Sequence, residues 1–221
     1  MEHERDMNAR DYAALAALAA MVLAGAYAYP SMPENVADHW DAYGNANGYG
    51  PKAFGTFILP VIAIAVYGLL LLIPKIEVFS ENMKEFRGYY DNIKLLLTLF
   101  MLVLYITTLA WNIGWKFNMN YAVLPALGVV FYYIGHVMRF MKRSFFVGIR
   151  TPWTLANDRV WKKTHEMGSV TFRMSAILLV ISTILPVGGI WLAVGAIIAN
   201  AVFLAAYSYW LYQKDRKNQL A

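Results

Sequence analysis

The chain contains no cysteine. Disulfides, thiolate metal sites, iron–sulfur clusters and cysteine nucleophiles are therefore excluded. Histidine is nearly as scarce: His3, His39, His136 and His165 are the only four, and they stand far apart in sequence. No pair of histidines flanks a glutamate in the zinc-protease manner, and neither a serine elbow nor a nucleotide-binding loop occurs. A hydrolase and an active transporter both lose their usual signatures, and no cofactor is expected. Charge is sparse too. Charged residues make up 15% of the 221 positions, against about 25% in an average soluble domain.

What fills the chain instead is apolar. Hydrophobic residues reach 59%, and the mean hydropathy is +0.44. A soluble domain would have to expose much of this surface, at about 25 cal/mol per Å². Composition thus excludes an ordinary soluble enzyme, a disordered chain and a disulfide scaffold. It points to a polytopic membrane protein.

Six apolar segments are long enough to cross a bilayer: 12–30, 55–74, 94–113, 121–139, 171–187 and 190–212. Backbone groups cannot be left unpaired in lipid, so these segments must be helices. None shows the period-2 alternation of a barrel strand. Only the turn at Gly188-Gly189, after Pro186, separates the last two, which read as a helical hairpin. Ala26, Tyr27 and Ala28 mimic a signal-peptide cleavage site. The stretch before the first span is nevertheless acidic (Glu2, Glu4, Asp6 and Asp11 against Arg5 and Arg10), so this helix is expected to be retained.

Lysine and arginine set the orientation. With the N-terminus inside, 17 basic residues lie on the cytoplasmic side, and only Lys52 and Lys116 lie outside. The net charge of +5 is therefore an orientation signal and not a mark of direct nucleic-acid binding. The expected fold is all-α, with six transmembrane helices, both termini cytoplasmic and amphipathic interfacial helices in the cytoplasmic loops. Residues 1–74 form a two-span module with an extracytoplasmic cap loop at 31–54. Residues 75–93 form a cytoplasmic linker. Residues 94–221 form a four-span module with a cytoplasmic loop at 140–170.

The cap loop is rich in Asn, Gly, Pro and Tyr and reads as turns. Asp38, His39 and Asp41 suggest a metal cluster. A folded cap with Trp40, Tyr43 and Tyr49 as interfacial anchors is the favoured reading, so no metal site is assigned. In the linker, Ile76, Phe79, Met83, Phe86, Tyr90 and Ile93 recur at helical spacing. This stripe fits a helix lying on the membrane or a cytoplasmic extension of the third span. In loop 140–170, Pro152 fixes a turn, and Thr154 is expected to cap a helix from Leu155 to Met167 that ends at Gly168. Trp153 and Trp161 are candidate headgroup anchors, and Arg150 is suited to a carboxylate or a lipid phosphate. Two readings stand for this loop: an interfacial helix held by anionic lipid, or a docking site for a cytoplasmic protein. Few polar groups lie inside the spans. Arg139 can snorkel from the fourth, His136 reads as a packed, hydrogen-bonded group, and Asn112 and Asn200 suit interhelical hydrogen bonds. No Asp or Glu stands mid-span, which weighs against a proton- or sodium-coupled carrier.

The run Gly148, Ile149, Arg150, Thr151, Pro152, Trp153, Thr154, Leu155, followed by Val160-Trp161 and Thr164-His165, resembles the signature of SdpI-type membrane proteins. Pro30, Pro33, His39, Gly44, Gly50 and Lys52, ahead of Gly55 and Pro60, resemble the N-terminal module often joined to them. Ser144 stands where that pattern has asparagine. The resemblance implies a non-enzymatic protein of the prokaryotic cell membrane that gives resistance to a secreted, membrane-active peptide toxin. It further implies a cytoplasmic helix-turn-helix autorepressor held at the membrane by the toxin-bound form. On that analogy Gly148, Arg150, Thr151, Pro152, Trp153, Thr154, Trp161 and His165 face the cytoplasmic partner. His39, Trp40, Asp41, Tyr43, Tyr49 and Lys52 face the toxin. The alternative is a small six-span transporter or peptide exporter, to which Pro60, Pro125 and Pro186 would lend helix kinks.

Overall fold

The structure is a computed structural model that describes residues 7–185 and 189–220. It is mostly helical, and among the described residues five helices are long and apolar enough to cross a membrane. In chain order the elements are α1 (Ala9–Ala28), β1 (Asn35–Trp40), β2 (Ala46–Pro51), α2 (Lys52–Ile76), α3 (Ser80–Asn112), α4 (Asn120–Met138), α5 (Pro152–Ala156), α6 (Asp158–Ser182) and α7 (Gly189–Leu220). The chain divides into two compact units: Met1–Leu70 with Tyr90–Ala126, and Leu71–Tyr89 with Leu127–Ala221.

In the first unit, α1 starts on a reciprocal cap. Asn8 Oδ1 accepts the N–H of Arg10 and Asp11 at 2.8 and 3.1 Å, and the Asp11 carboxylate accepts the Asn8 N–H at 3.2 Å. Asp11, Ala14, Leu18, Met21 and Gly25 then make one buried stripe. A Cβ at Gly25 would overlap the Tyr105 hydroxyl, so α1 and α3 approach closely there. Ala14, Leu18, Met21, Val36, Ala63, Tyr67, Tyr105 and Leu109 form the core.

The 31–54 stretch is more than turns. It holds a two-stranded antiparallel hairpin that pairs Asn35 with Pro51, Val36 with Gly50 and Ala37 with Tyr49, and is irregular around His39. The sequence hid it, because the loop shows no alternation and few β-branched residues. Side chains do the ordering instead. Asp41 accepts the N–H groups of Tyr43 and Asn45 at 2.8 and 2.9 Å, and Gly44 takes a φ of +76°. Asn118 and Asn120 donate to the Tyr43 and Ala42 carbonyls at 2.8 and 3.0 Å.

In the second unit, α6 packs along α7 and against α4. Glycines permit the approach: a Cβ at Gly135 would lie 2.9 Å from Arg173 Cγ, and one at Gly128 would lie 3.0 Å from Val180 Cγ2. Phe131 stacks on Phe172 at 5.4 Å.

Of the two readings of the linker stripe, the structure shows the extension of the third span: α3 runs unbroken from Ser80 through Met83, Phe86, Tyr90 and Ile93, while Ile76 ends α2. Two boundaries differ from expectation. The helix expected at Leu155–Met167 neither starts at Thr154 nor ends at Gly168. Thr151 caps α5, Asn157 caps α6, and α6 continues through Gly168. Gly168 serves close packing instead, with its Cβ position 2.8 Å from Ile149 Cδ1. The segment expected as the fifth span is the second half of α6, which is not among the five apolar helices. The helix ends at Ser182, and Arg173 within this half, after a charged first half, lowers its hydropathy. Pro186 and Gly188 lie outside the described residues. The start of α7 does return to the end of α6, since a Cβ at Gly189 would overlap the Ser182 carbonyl.

Candidate functional site

The loop after α4 is folded around His165. The imidazole is buried, stacked on Trp161 at 4.0 Å and 22°. Its Nε2 accepts the Ile149 N–H at 2.9 Å, and its Nδ1 lies 2.8 Å from the Trp161 carbonyl. A backbone N–H must donate and a carbonyl must accept, so the ring is neutral with its proton on Nδ1. A second proton on Nε2 would face the Ile149 N–H. Burial pushes the pKa down to about 4 from 6.5, and the Trp161 carbonyl only partly opposes this. Gly148, at φ +116°, passes directly over the rings, and a Cβ there would lie 2.6 Å from His165 Nε2 and 2.9 Å from Trp161. Only glycine suits both the backbone angle and the space.

Other signature residues complete the knot. Trp161 Nε1 donates to the Met141 carbonyl at 2.9 Å. Thr154 is fully buried and donates to the Ile149 carbonyl at 2.8 Å while accepting the Thr151 N–H at 2.9 Å. The Thr151 hydroxyl meets that of Ser208 on α7 at 3.0 Å, and Trp153 packs on Tyr209 at 4.9 Å. Gly148, Thr151, Thr154, Trp161 and His165 thus shape the loop from within. Arg150 and Pro152 are exposed, and Trp153 is half-buried.

Residues that sequence reasoning did not assign to this site hold its other side. Glu77, 5% exposed, accepts the Ser144 hydroxyl at 2.6 Å and the N–H groups of Phe145 and Phe79, each at 3.0 Å, with Phe146 at 3.3 Å. Burial pushes its carboxyl up, but these donors together hold it below the ordinary 4.5. Ser144 in turn accepts the N–H of Val147 at 3.0 Å. Asn82 donates to the Arg143 carbonyl at 2.9 Å, and Lys142 pairs with Glu85. Nothing in the sequence pairs positions nearly seventy apart.

The first unit carries two further arrangements. Asn112 bonds Ala37 at both backbone groups, accepting its N–H at 2.8 Å and donating to its carbonyl at 3.0 Å. Its partner is the hairpin and not the helix expected for it. Lys94, 2% exposed, lies 2.6 Å from Asp11 and 3.1 Å from Asp91. Tyr67 donates to Asp11 at 3.1 Å, and Asn8 donates to Asp91 at 2.9 Å. The Asp91–Lys94 spacing was readable as a helical pair, but the arrival of Asp11 from α1 was not.

On the hairpin, His39, Tyr43 and Tyr49 are exposed. His39 Nδ1 lies 2.5 Å from Asn47 Oδ1, and Trp40 meets Trp111 edge-on at 5.8 Å. Asp41 is committed to the turn. Lys52 pairs with Glu34 at 3.7 Å and lies over the Tyr29 ring at 5.1 Å. Among the described residues, no three His, Asp or Glu side chains are grouped to hold a metal ion. In α4, His136 sits between the Tyr133 and Phe140 rings, and exposed Arg139 lies over Phe140 at 4.7 Å. Asn200 Oδ1 is buried without a hydrogen-bond partner among the described residues, so it does not accept the expected interhelical bond.

Residues 141–208 match the SdpI/YfhL protein family, and residues 16–64 match a domain of unknown function, DUF1648. The immunity protein SdpI of Bacillus subtilis (strain 168) is 26% identical over 141 residues, which is 64% of this chain and 65% of that protein. The alignment thus spans slightly under two thirds of the relative. No solved structure matches.

Proposed function

We propose, from its likeness to the SdpI immunity protein, that this chain is a non-enzymatic membrane protein that gives resistance to a secreted, membrane-active peptide toxin. The observation that carries the reading is the loop at 141–157. The matched family region begins at Met141, and its signature residues build a hydrogen-bonded knot around His165. The second half of α6 makes a sixth crossing beside α7, so that both termini lie in the cytoplasm. Seventeen basic residues on that side support this orientation. The hairpin with exposed His39, Tyr43 and Tyr49 then faces the toxin. The loop with exposed Arg150 and Pro152 faces a cytoplasmic repressor.

Expression in Bacillus subtilis cells lacking their own SdpI tests the proposal. Cells challenged with medium conditioned by wild-type cultures should survive when the chain is present. Unchanged killing with the protein in the membrane would refute the immunity role. Arg150→Ala and Trp153→Ala are expected to leave resistance within about twofold, because neither bonds to the buried His165. They should weaken recruitment of a repressor. A reporter fused after Ala221 that proved extracytoplasmic would refute the orientation.

A further inference from the structure

α4 and α6 run antiparallel, since Gly128 lies against Val180 and Gly135 against Arg173. Arg139 stands one turn beyond Gly135 on α4. Arg173 Nε donates to the Ser169 carbonyl at 2.8 Å, one turn back along α6. Both guanidinium groups are thereby carried toward the same end of the helix pair. They also share a side of it. At about 100° per residue, Arg139 and Tyr132 lie to one flank of Gly135, and Arg173, Ile177 and Val180 lie to the same-handed flank of Ala176. In antiparallel helices those two flanks coincide. The Arg139 guanidinium rests over Phe140 at 4.7 Å, and Phe140 is itself stacked on Tyr89 at 5.0 Å and met edge-on by His136 at 6.0 Å. Among the described residues, neither arginine pairs with a carboxylate. Glu85, one turn before Tyr89, is held by Lys142, and Glu166, one turn before Ser169, is held by Lys163.

We infer that Arg139 and Arg173 form a binding site for the headgroup phosphate of an anionic phospholipid, at the groove between α4 and α6. A guanidinium has five N–H donors. Arg173 uses one of them on Ser169, and the remaining donors of the pair suit a phosphate held from two sides. The surface between the arginines and mid-span favours a lipid over a water-soluble protein. Tyr132 on α4 is exposed, and so are Ile177 and Val180 on α6, by 53% and 46%. An acyl chain lying along these side chains leaves its phosphate at the guanidinium groups. Basic pockets between membrane helices hold anionic headgroups in this way. The inference rests on the sixth crossing proposed for α6, and on the proposed orientation only for the choice of leaflet.

Lipid binding to the purified full chain in detergent, counted by native mass spectrometry, tests the site. Phosphatidylglycerol and phosphatidylcholine of equal chain length are titrated in turn. The first phosphatidylglycerol should bind about tenfold more tightly than the first phosphatidylcholine. Arg139→Gln should lower that preference by about fivefold, and adding Arg173→Gln should abolish it. Arg139 is exposed, so its single variant carries the test if the double variant does not fold. Lys214→Gln removes a cation from α7 and should leave the preference within about twofold. Excess glycerol 3-phosphate, which lacks the acyl chains, should not displace the lipid. Equal affinity for the two lipids would overturn the inference and point the arginines at an acidic protein. A preference that survives both arginine substitutions, or that falls as far in Lys214→Gln, would overturn it in favour of bulk charge. Displacement by glycerol 3-phosphate would overturn it in favour of a free phosphate. Cell survival and the reporter after Ala221 are scored separately, so a failed immunity role or orientation leaves lipid binding to its own result.

Discussion

Acid should loosen the signature loop through one proton on His165. The unfolded imidazole titrates near 6.5, whereas the buried ring stays neutral down to about 4. Between those values the unfolded chain binds the extra proton and the folded chain does not. Stability from this group is therefore complete above pH 6.5 and falls as the pH drops toward 4. The slope is about 1.4 kcal/mol per pH unit, and the whole interval is worth about 3 kcal/mol. The cause is burial of the ring, which the Trp161 carbonyl opposes only in part, and Nε2 already accepts the Ile149 N–H at 2.9 Å and has no room to donate. The assay is equilibrium denaturation of purified protein in nanodiscs at several values from about pH 7.5 to about pH 4.5, compared with His165→Gln. The variant loses the Trp161 stack, so it should be less stable at neutral pH, by about 1–3 kcal/mol. Its curve should nevertheless be flatter by nearly one proton. Glu77, whose carboxyl is held below its ordinary value, is present in both proteins and contributes equally to them. Parallel curves for the two proteins would refute the neutral, Nδ1-protonated assignment.

Other substitutions probe the remaining contacts. Gly148→Ala should cost about 2–4 kcal/mol, from the positive φ and the collision with His165, and should be visible as reduced membrane level and earlier thermal unfolding. Lys94→Ala should destabilise the first unit by about 3–5 kcal/mol, because two buried carboxylates lose their cation. Adding Asp11→Asn to that variant should recover part of the loss, as measured by denaturation. Asn112→Leu should accelerate exchange at the Ala37 amide by about tenfold without unfolding α3, as read by hydrogen exchange.

The helices were legible because lipid-crossing segments need only length and hydropathy. The runs at 12–30, 55–74, 121–139 and 190–212 lie largely within α1, α2, α4 and α7. Element ends were less legible. Thr154 and Thr151 are both good capping residues, and Pro152 decided between them by taking the first helical position after Thr151. The hairpin escaped notice because its order comes from Asp41, Asn112, Asn118 and Asn120, three of them from beyond the loop. Within the candidate site, the signature residues stood out as a run, but the run alone did not say which of them point inward. Neither Glu77 nor Lys94 stands out in the sequence. Their burial depends on partners 67 and 83 positions away, which no local pattern reports.

The two bonds from Asn112 to Ala37 also bear on how an extended peptide can meet the hairpin. A two-stranded sheet ordinarily leaves both outer edges open to a third strand. Here a side-chain amide occupies the outward N–H and carbonyl of Ala37, as a neighbouring strand would. The other strand ends in Pro51, which has no N–H to offer. Strand addition along β1 would first have to displace Asn112. Under the proposed role, a toxin peptide would be directed away from backbone zippering and toward the side chains of His39, Tyr43 and Tyr49, and discrimination would depend on its side chains and not on its mere ability to extend.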